Sequence, residues 1–387
     1  ILLALALVFL LISGQKLEFP PIRLPLAIFF LITVAAILAS GDPRQGTPQL
    51  RKFFVFAIVF VVFSTFRDIR QVRALVISWA AVATCSALVG VAQFFQRRHD
   101  ALVQNADYYD FYLDRRITGF AGHWMTFGGE LMMVLLMLAA VLLFSDRPRW
   151  KRYLWPAAVI IWAAIALGMT RCIFLLGLPL GLLYLAWRRG TRFVAALLFA
   201  IAIGIAVAPA TVRERIVSVA KPEPETDSNA HRTVCRIAGW QMVKAHPWLG
   251  LGPEQIAVQF DRYVPASVRR PLPRGWYGHL HNVYLQYAAE RGVPGLLSFL
   301  WLLGVIVADF VRTLRQRSLT PEGRAVLHGA LAVIIAALAE GLFEYNLGDS
   351  EVLTIFLSVI TCGYVVVRQV SQASTGQADR VEAARGV

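Results

Sequence analysis

In the stretch Gly275–Phe310, GWYGHLHNVYLQYAAERGVPGLLSFLWLLGVIVADF, a polar segment gives way within a few residues to a long apolar run. A membrane-crossing helix needs about 20 apolar residues, and the run from Val283 to Phe310 supplies that length. The rest of the chain repeats the pattern. Hydrophobic residues make up 57% of the 387 and charged ones only 16%, with a mean hydropathy of +0.59. A soluble protein cannot hide that much apolar surface, so the class is an all-α polytopic membrane protein. Lipid offers no hydrogen-bond partner to bare backbone, which makes each crossing a helix. The solid apolar runs lack the period-two alternation of a membrane barrel.

Working outward, apolar runs lie at Ile1–Ser13, Leu24–Ser40, Phe53–Phe66, Ala74–Phe95, Trp124–Phe144, Leu154–Thr170, Cys172–Trp187 and Phe193–Ala208. Three more follow a long polar interval, at Val283–Phe310, Ala325–Phe343 and Val352–Val367. A window reading predicts about eleven spans. Ile1–Ser13 is short for a span and has no initiator Met, so the chain is expected to begin inside a helix. No basic leader or small-residue cleavage site marks a signal peptide. Basic clusters at Arg67/Arg70/Arg73, Arg147/Arg149/Lys151/Arg152, Arg188/Arg189/Arg192 and Arg312/Arg315/Arg317 fall on one side of the predicted topology. The positive-inside rule makes that side cytoplasmic, together with the tail after Arg368. Counting back places Ile1 outside and predicts about twelve spans in the natural protein.

The whole chain, 1–387, is expected to be one integral membrane domain. Two long segments, Gln96–His123 and Pro209–Leu280, face the other side, and the second is expected to join the active site. Within it, Lys221–Asn229 (KPEPETDSN) reads as a flexible turn. His231–His246 reads as an amphipathic helix capped by Ser228 or Asn229, ended by Pro247-Trp-Leu-Gly-Leu-Gly-Pro253. The polar segments are too short for a separate domain with its own core. The net charge of +14 comes from loop anchors and from arginines suited to an anionic substrate. No basic stripe with interleaved aromatics sits on a soluble module, which argues against nucleic acid.

Several residues have two readings. Arg171, between two apolar runs with almost no loop, is either a fixed phosphate ligand or a helix-end arginine reaching headgroups. Arg236 and Trp240 share a helix face, with Arg232 one turn earlier as a competitor, and a solvated basic face is the alternative. His279-x-His281 could be a general base, a buried structural pair or part of a metal site, although no further ligand is local. Asn282 could orient the histidine or a sugar. Gly250 and Gly252 make a weak phosphate-loop pattern, better read as a tight turn. Arg116, Arg269, Arg270, Arg274, Glu344, Tyr345, Asn346 and Asp349 are further polar candidates near the same face. The four cysteines show no C-x-x-C spacing, and Cys172 and Cys235 would pair only if both met an oxidising compartment.

The order His281-Asn282, nine residues, then Gly292-Val-Pro-Gly295 resembles the signature of the O-antigen ligase family, part of a superfamily shared with O-antigen and exopolysaccharide polymerases. Thr170-Arg171 matches that family's Ser/Thr-Arg pair. Arg236, Trp240 and Pro247-x-x-Gly250-x-Gly252 match its Arg, Trp, Pro-x-x-Gly-x-Gly order. Arg115 and Arg116 before Gly119 resemble its Arg-x-x-Gly stretch. The resemblance covers roughly Arg116 to Leu303. It implies a GT-C-like bundle in the bacterial inner membrane with its active site facing the periplasm. It further implies transfer of a preassembled glycan from undecaprenyl diphosphate to lipid A–core oligosaccharide. Arg171 and Arg236 would hold the diphosphate and His281 would act as base, with no metal or other cofactor. Insensitivity to chelators follows. The alternatives are a polymerase of the same superfamily or, from another class, a transporter of lipid-linked oligosaccharide.

Overall fold

The structure, a computed structural model, describes residues 2–14, 17–146, 148–208, 210–217 and 228–385. Of the expected turn Lys221–Asn229, residues 221–227 lie outside them, and Ser228 and Asn229 already belong to a helix. Every regular element among the described residues is helical. Helices α1 (Leu2–Ile12) and α2 (Arg23–Ala39) precede α3 (Thr47–Val55) and α4 (Ala57–Thr65), which Phe56 joins into one apolar rod. Next, α5 (Ile69–Val103) starts at a capping box in which Asp68 and Gln71 satisfy each other's backbone N–H groups. The short α6 (Tyr108–Asp114) leads to α7 (Trp124–Phe144) and then α8 (Pro148–Leu167). A π-helical turn, Cys172–Gly177, opens α9 (Leu178–Arg189), which is followed by α10 (Thr191–Val207) and α11 (Ala210–Val217). The polar segment folds into α12 (Ser228–Ala245) and the single turn α13 (Ile256–Gln259). Three long helices close the chain: α14 (Val283–Leu314), α15 (Pro321–Glu340) and α16 (Ser350–Arg385).

All eleven apolar runs fold as helices. Among the described residues, seven helices are long and apolar enough to cross a membrane, and α1, α2 and α10 are shorter apolar helices. The protein is therefore an all-helical, multi-pass membrane protein. Helices α7, α15 and α16 form its centre, each about 72% buried along its apolar window. By contrast α10 buries none of its side chains, the condition of a helix wrapped by lipid rather than protein. The basic helix ends gather at one pole. Ser145, Lys151, Arg189 and Arg324 line one small cavity there, and Arg73 pairs with Glu322 at 3.2 Å.

At the opposite pole the polar segment builds a small apolar cluster of its own. Val234, Cys235, Ala238, Met242, Leu251, Ile256, Phe260 and Leu280 pack together, and the cluster closes only against Ala288 and Ala289 of α14. The segment does not enclose this cluster alone: α14 supplies the missing wall.

A kink in α14 makes this docking possible. Pro294 has no N–H, so the Glu290 carbonyl four residues back loses its helical donor. Gly292 leaves the helical region altogether, with φ 71° and ψ 174°. The orphaned carbonyls are satisfied from outside: Leu251 N–H donates to Ala289 O at 2.8 Å and Gly252 N–H to Glu290 O at 3.0 Å. In return Val293 N–H donates to Pro247 O at 2.8 Å. The Pro247–Pro253 turn is therefore stitched to the kink backbone to backbone, which answers the need of buried polar groups for partners. A Cβ at Gly292 would run into the Trp248 carbonyl, and one at Gly250 into the backbone at Glu290. Gly292→Ala is expected to destabilise the fold by about 1–3 kcal/mol, read as a lower thermal midpoint in detergent. Gly304→Ala, where a Cβ meets nothing within 4 Å, serves as the comparison.

Candidate functional site

Glu254 just after the stitched turn, the start of α14 and the ends of the central helices enclose a cavity of about 810 Å³. That is within the usual range of small-molecule sites, about 300–1,000 Å³. Its walls come from distant parts of the chain: Lys52, Arg116 with His123 to Thr126, Thr170 to Cys172, His231 with Arg232, Arg274 with His279 and His281, and Glu344 to Asn346 with Asp349. These are the segments that lie between the basic clusters in sequence. They meet because each is the same-side end of a neighbouring helix.

The centre of the site is His281. Its backbone is left-handed, with φ 49°, a conformation that costs a non-glycine residue about 1–2 kcal/mol. Two neighbours hold it there. Asn282 caps α14 by accepting from Leu285 N–H at 2.8 Å, and its amide donates to Leu342 O at 2.9 Å. The ring itself donates from Nδ1 to the Glu344 carboxylate at 3.0 and 3.1 Å. The other ring nitrogen, Nε2, is buried and has no hydrogen-bond partner among the described residues. His279 lies against it, ring centroids 4.0 Å apart.

Glu344, 2% exposed, also receives Arg232 Nη2 at 3.1 Å. Burial by itself would raise this carboxyl, but the hydrogen bond from His281 and the charges of His281, Arg232 and His279 outweigh it and hold it at about 2. Burial together with the neighbouring His281 pushes His279 down to about 3, and the same two causes bring His231 to about 4. A carboxylate fixed as an anion near the neutral rings of His279 and His231 follows. Because its folded value lies below the ordinary 4.5, Glu344 contributes stability above that pH and loses it as the pH falls toward 2. Glu344→Gln is expected to flatten the acid side of the thermal-midpoint profile between pH 4.5 and 2, measured by unfolding in detergent.

Arg171, 8% exposed, sits at the start of the π-helical turn and donates from Nη2 to Asn229 Oδ1 at 3.1 Å. Such turns recur where a helix must re-aim a side chain. Arg116 lies over the Trp124 ring at 4.3 Å and donates to Leu113 O. Thr126 donates to Asp349 at 2.7 Å, tying α7 to the last turn. Tyr345, also on the wall, packs its ring 6.0 Å from His279.

The expected residues divide. Arg171, Arg116, Arg232, His279, His281, Glu344 and Tyr345 all line the cavity. Arg236 does not: it is exposed and donates to Thr233 Oγ1 at 3.3 Å on its own helix. Trp240, 58% exposed, also stays outside. Arg232, one turn earlier on α12, does line the cavity. Arg270 pairs with Asp261 at 3.3 Å on the surface, away from the cavity. Asn282 spends both polar atoms on the fold rather than facing a ligand.

Sequence reading missed His231, buried on α12 with its ring 5.0 Å from that of His281. It also missed a polar seam at the cavity's edge, where Gln286 donates to Glu290 at 2.9 Å and Arg291 to Glu290 at 2.6 Å. The signal for the seam was present in the sequence: a Glu-Arg pair inside an apolar helix is costly and needs internal partners. For metals, folding supplies what the local sequence lacks. His279, His281 and Glu344 form one cluster of possible ligands, and His231, Cys235 and His281 another. All four cysteines are free, so Cys172 and Cys235 are not bridged.

Comparison with known families matches residues 156–300 to the family described as O-antigen ligase. That segment, from within α8 to the first half of α14, is a domain of this family. It contains Arg171, Arg232 and His281, but not Glu344. Comparison with curated proteins gives no match. The domain is shared by O-antigen ligases and polymerases, and at that level it implies glycan transfer from lipid-linked donors.

Proposed function

We propose that this chain, whose 156–300 segment is an O-antigen ligase family domain, is an O-antigen ligase. It transfers a preassembled polysaccharide from undecaprenyl diphosphate to a hydroxyl of lipid A–core, with inversion and without a metal. In this reading the GT-C-like bundle lies in the bacterial inner membrane with its basic pole cytoplasmic. The cavity and the 209–280 segment face the periplasm, within reach of the carrier lipid and of lipid A. The observation that carries the proposal is one cavity holding Glu344-bound His281 together with Arg171 and Arg232.

The reaction follows from that arrangement. The acceptor hydroxyl gives its proton to His281 Nε2, the ring nitrogen not already committed to Glu344. Its oxygen attacks the anomeric carbon from the face opposite the diphosphate, and the bond from that carbon to the phosphate oxygen breaks. The electron pair leaves with undecaprenyl diphosphate, whose growing negative charge is met by the Arg171 and Arg232 guanidinium groups. Glu344 stabilises the imidazolium formed on His281 and keeps the ring in the tautomer that leaves Nε2 as acceptor. The proton then passes to solvent or to the departing diphosphate. With two fixed guanidinium groups on the leaving group, a divalent cation has no separate task.

The test is transfer by the purified protein between a defined polyprenyl-diphosphate donor and lipid A–core, with and without EDTA. Capped core formed equally in both is the expected result. Activity silenced by EDTA and restored by Mg²⁺ or Mn²⁺ would overturn the metal-independent mechanism. Lengthened lipid-linked glycan in place of capped core would make the chain a polymerase. If neither product forms while the chain moves lipid-linked glycan across a vesicle membrane, it is a transporter.

A further inference from the structure

Cys235 has no part in the chemistry above; it lies in the apolar cluster beside the site, with no exposed surface. His231 stands four residues before it on α12, so both side chains project from one helix face, and His231 is 5% exposed. The Cys235 sulfur and His231 Nε2 are 3.7 Å apart. A ring nitrogen of His281 completes the group, and the three ligand atoms all lie within 4.8 Å of one another. Tetrahedral zinc with Zn–N and Zn–S bonds of about 2.0–2.3 Å sets its ligand atoms about 3.3–3.8 Å apart. The cluster needs only small side-chain adjustments to reach that spacing.

We infer that His231, Cys235 and His281 form a zinc-binding site whose occupation switches the enzyme off. The supporting groups are those a zinc-bound imidazole uses. His281 Nδ1 is held by the Glu344 carboxylate, which leaves the buried, unpartnered Nε2 to the metal. His231 hydrogen-bonds the Trp276 backbone. Both histidines border the cavity, so a water from it can fill the fourth position. On binding, the Cys235 thiol releases its proton to solvent and two neutral imidazoles donate lone pairs, leaving a centre of net charge +1. Glu344, one hydrogen bond away, offsets that charge. The second cluster, His279, His281 and Glu344, suits zinc less well because Arg232 already holds the carboxylate.

Binding does not depend on the reaction, whereas inhibition rests on His281 being the base: a lone pair given to zinc cannot take a proton. The two are read separately. Purified protein titrated with Co²⁺, a tetrahedral stand-in for Zn²⁺, is expected to show a thiolate-to-metal charge-transfer band at one equivalent. Cys235→Ser should abolish the band and weaken Zn²⁺ binding at least about tenfold. Should that change disturb the packing of α12, His231→Gln carries the same test. Zn²⁺ at one equivalent is expected to stop glycan transfer by the wild type and to spare Cys235→Ser. A missing band, or a band unchanged in Cys235→Ser, overturns the site. Zinc bound at Cys235 with undiminished transfer overturns the switch. If the zinc-free wild type transfers nothing, the proposed function fails while the Co²⁺ band still decides the site.

Discussion

Arg232→Ala is expected to lower glycan transfer by about 10²–10³-fold, the usual loss when one preorganised donor to a developing charge is removed. Arg236→Ala, one helical turn away, is expected to change it by about twofold or less, as for a surface substitution worth up to ~0.5 kcal/mol. The contrast comes from position alone. Arg232 borders the cavity and is anchored to Glu344 at 3.1 Å, while Arg236 donates to Thr233 on its own helix and stays outside the cavity. Arg232→Lys should recover little, because an ammonium cannot present the planar fork that grips a diphosphate. The readout is kcat against KM for the lipid-linked donor. A group that meets charge as the bond breaks lowers kcat, whereas one that only holds the donor raises KM. Loss of activity in Arg236→Ala with Arg232→Ala intact would show that α12 presents its other turn to the substrate.

His281→Ala is expected to cost about 10²–10⁴-fold in rate, the range supplied by a positioned general base, while donor binding persists. Donor retention, measured by equilibrium binding of the labelled lipid, separates a lost base from a collapsed cavity. Glu344→Gln tests the other half of the pair. The amide can still hydrogen-bond the ring, so the geometry survives, but the negative charge that favours the imidazolium is gone. The rate should fall less than in His281→Ala, and the acid limb of its pH profile should move to lower pH. A purely structural Glu344 would leave that limb in place. Full activity in His281→Ala would remove the base from the mechanism altogether.

The order of transmembrane helices was legible because lipid allows the chain few choices. Solid apolar runs must become helices, and all eleven do. The kink was legible for a similar reason, since Pro294 cannot donate and Gly292 is the residue that tolerates φ 71°. What the kink is for was not. The Pro247–Pro253 turn that repairs its carbonyls lies some forty residues earlier, and no local pattern links the two. Arg171 was legible as a cation held at a helix end with almost no loop.

The choice between Arg232 and Arg236 could not come from the sequence. Residues four apart share a helix face, so periodicity treats them alike, and only the placement of α12 against α14 separates them. The partner of His281 was hidden in the same way. Glu344 is 63 positions away, in a turn whose composition suits solvent as well as a catalytic site. By itself, then, the sequence determined the helices and marked the motif residues, because backbone hydrogen bonding in lipid and the chemistry of proline and glycine act locally. Only the tertiary structure decided which guanidinium, carboxylate and imidazole meet. A hydrogen bond of about 3 Å depends on how distant helix ends converge, and no short stretch of chain encodes that convergence.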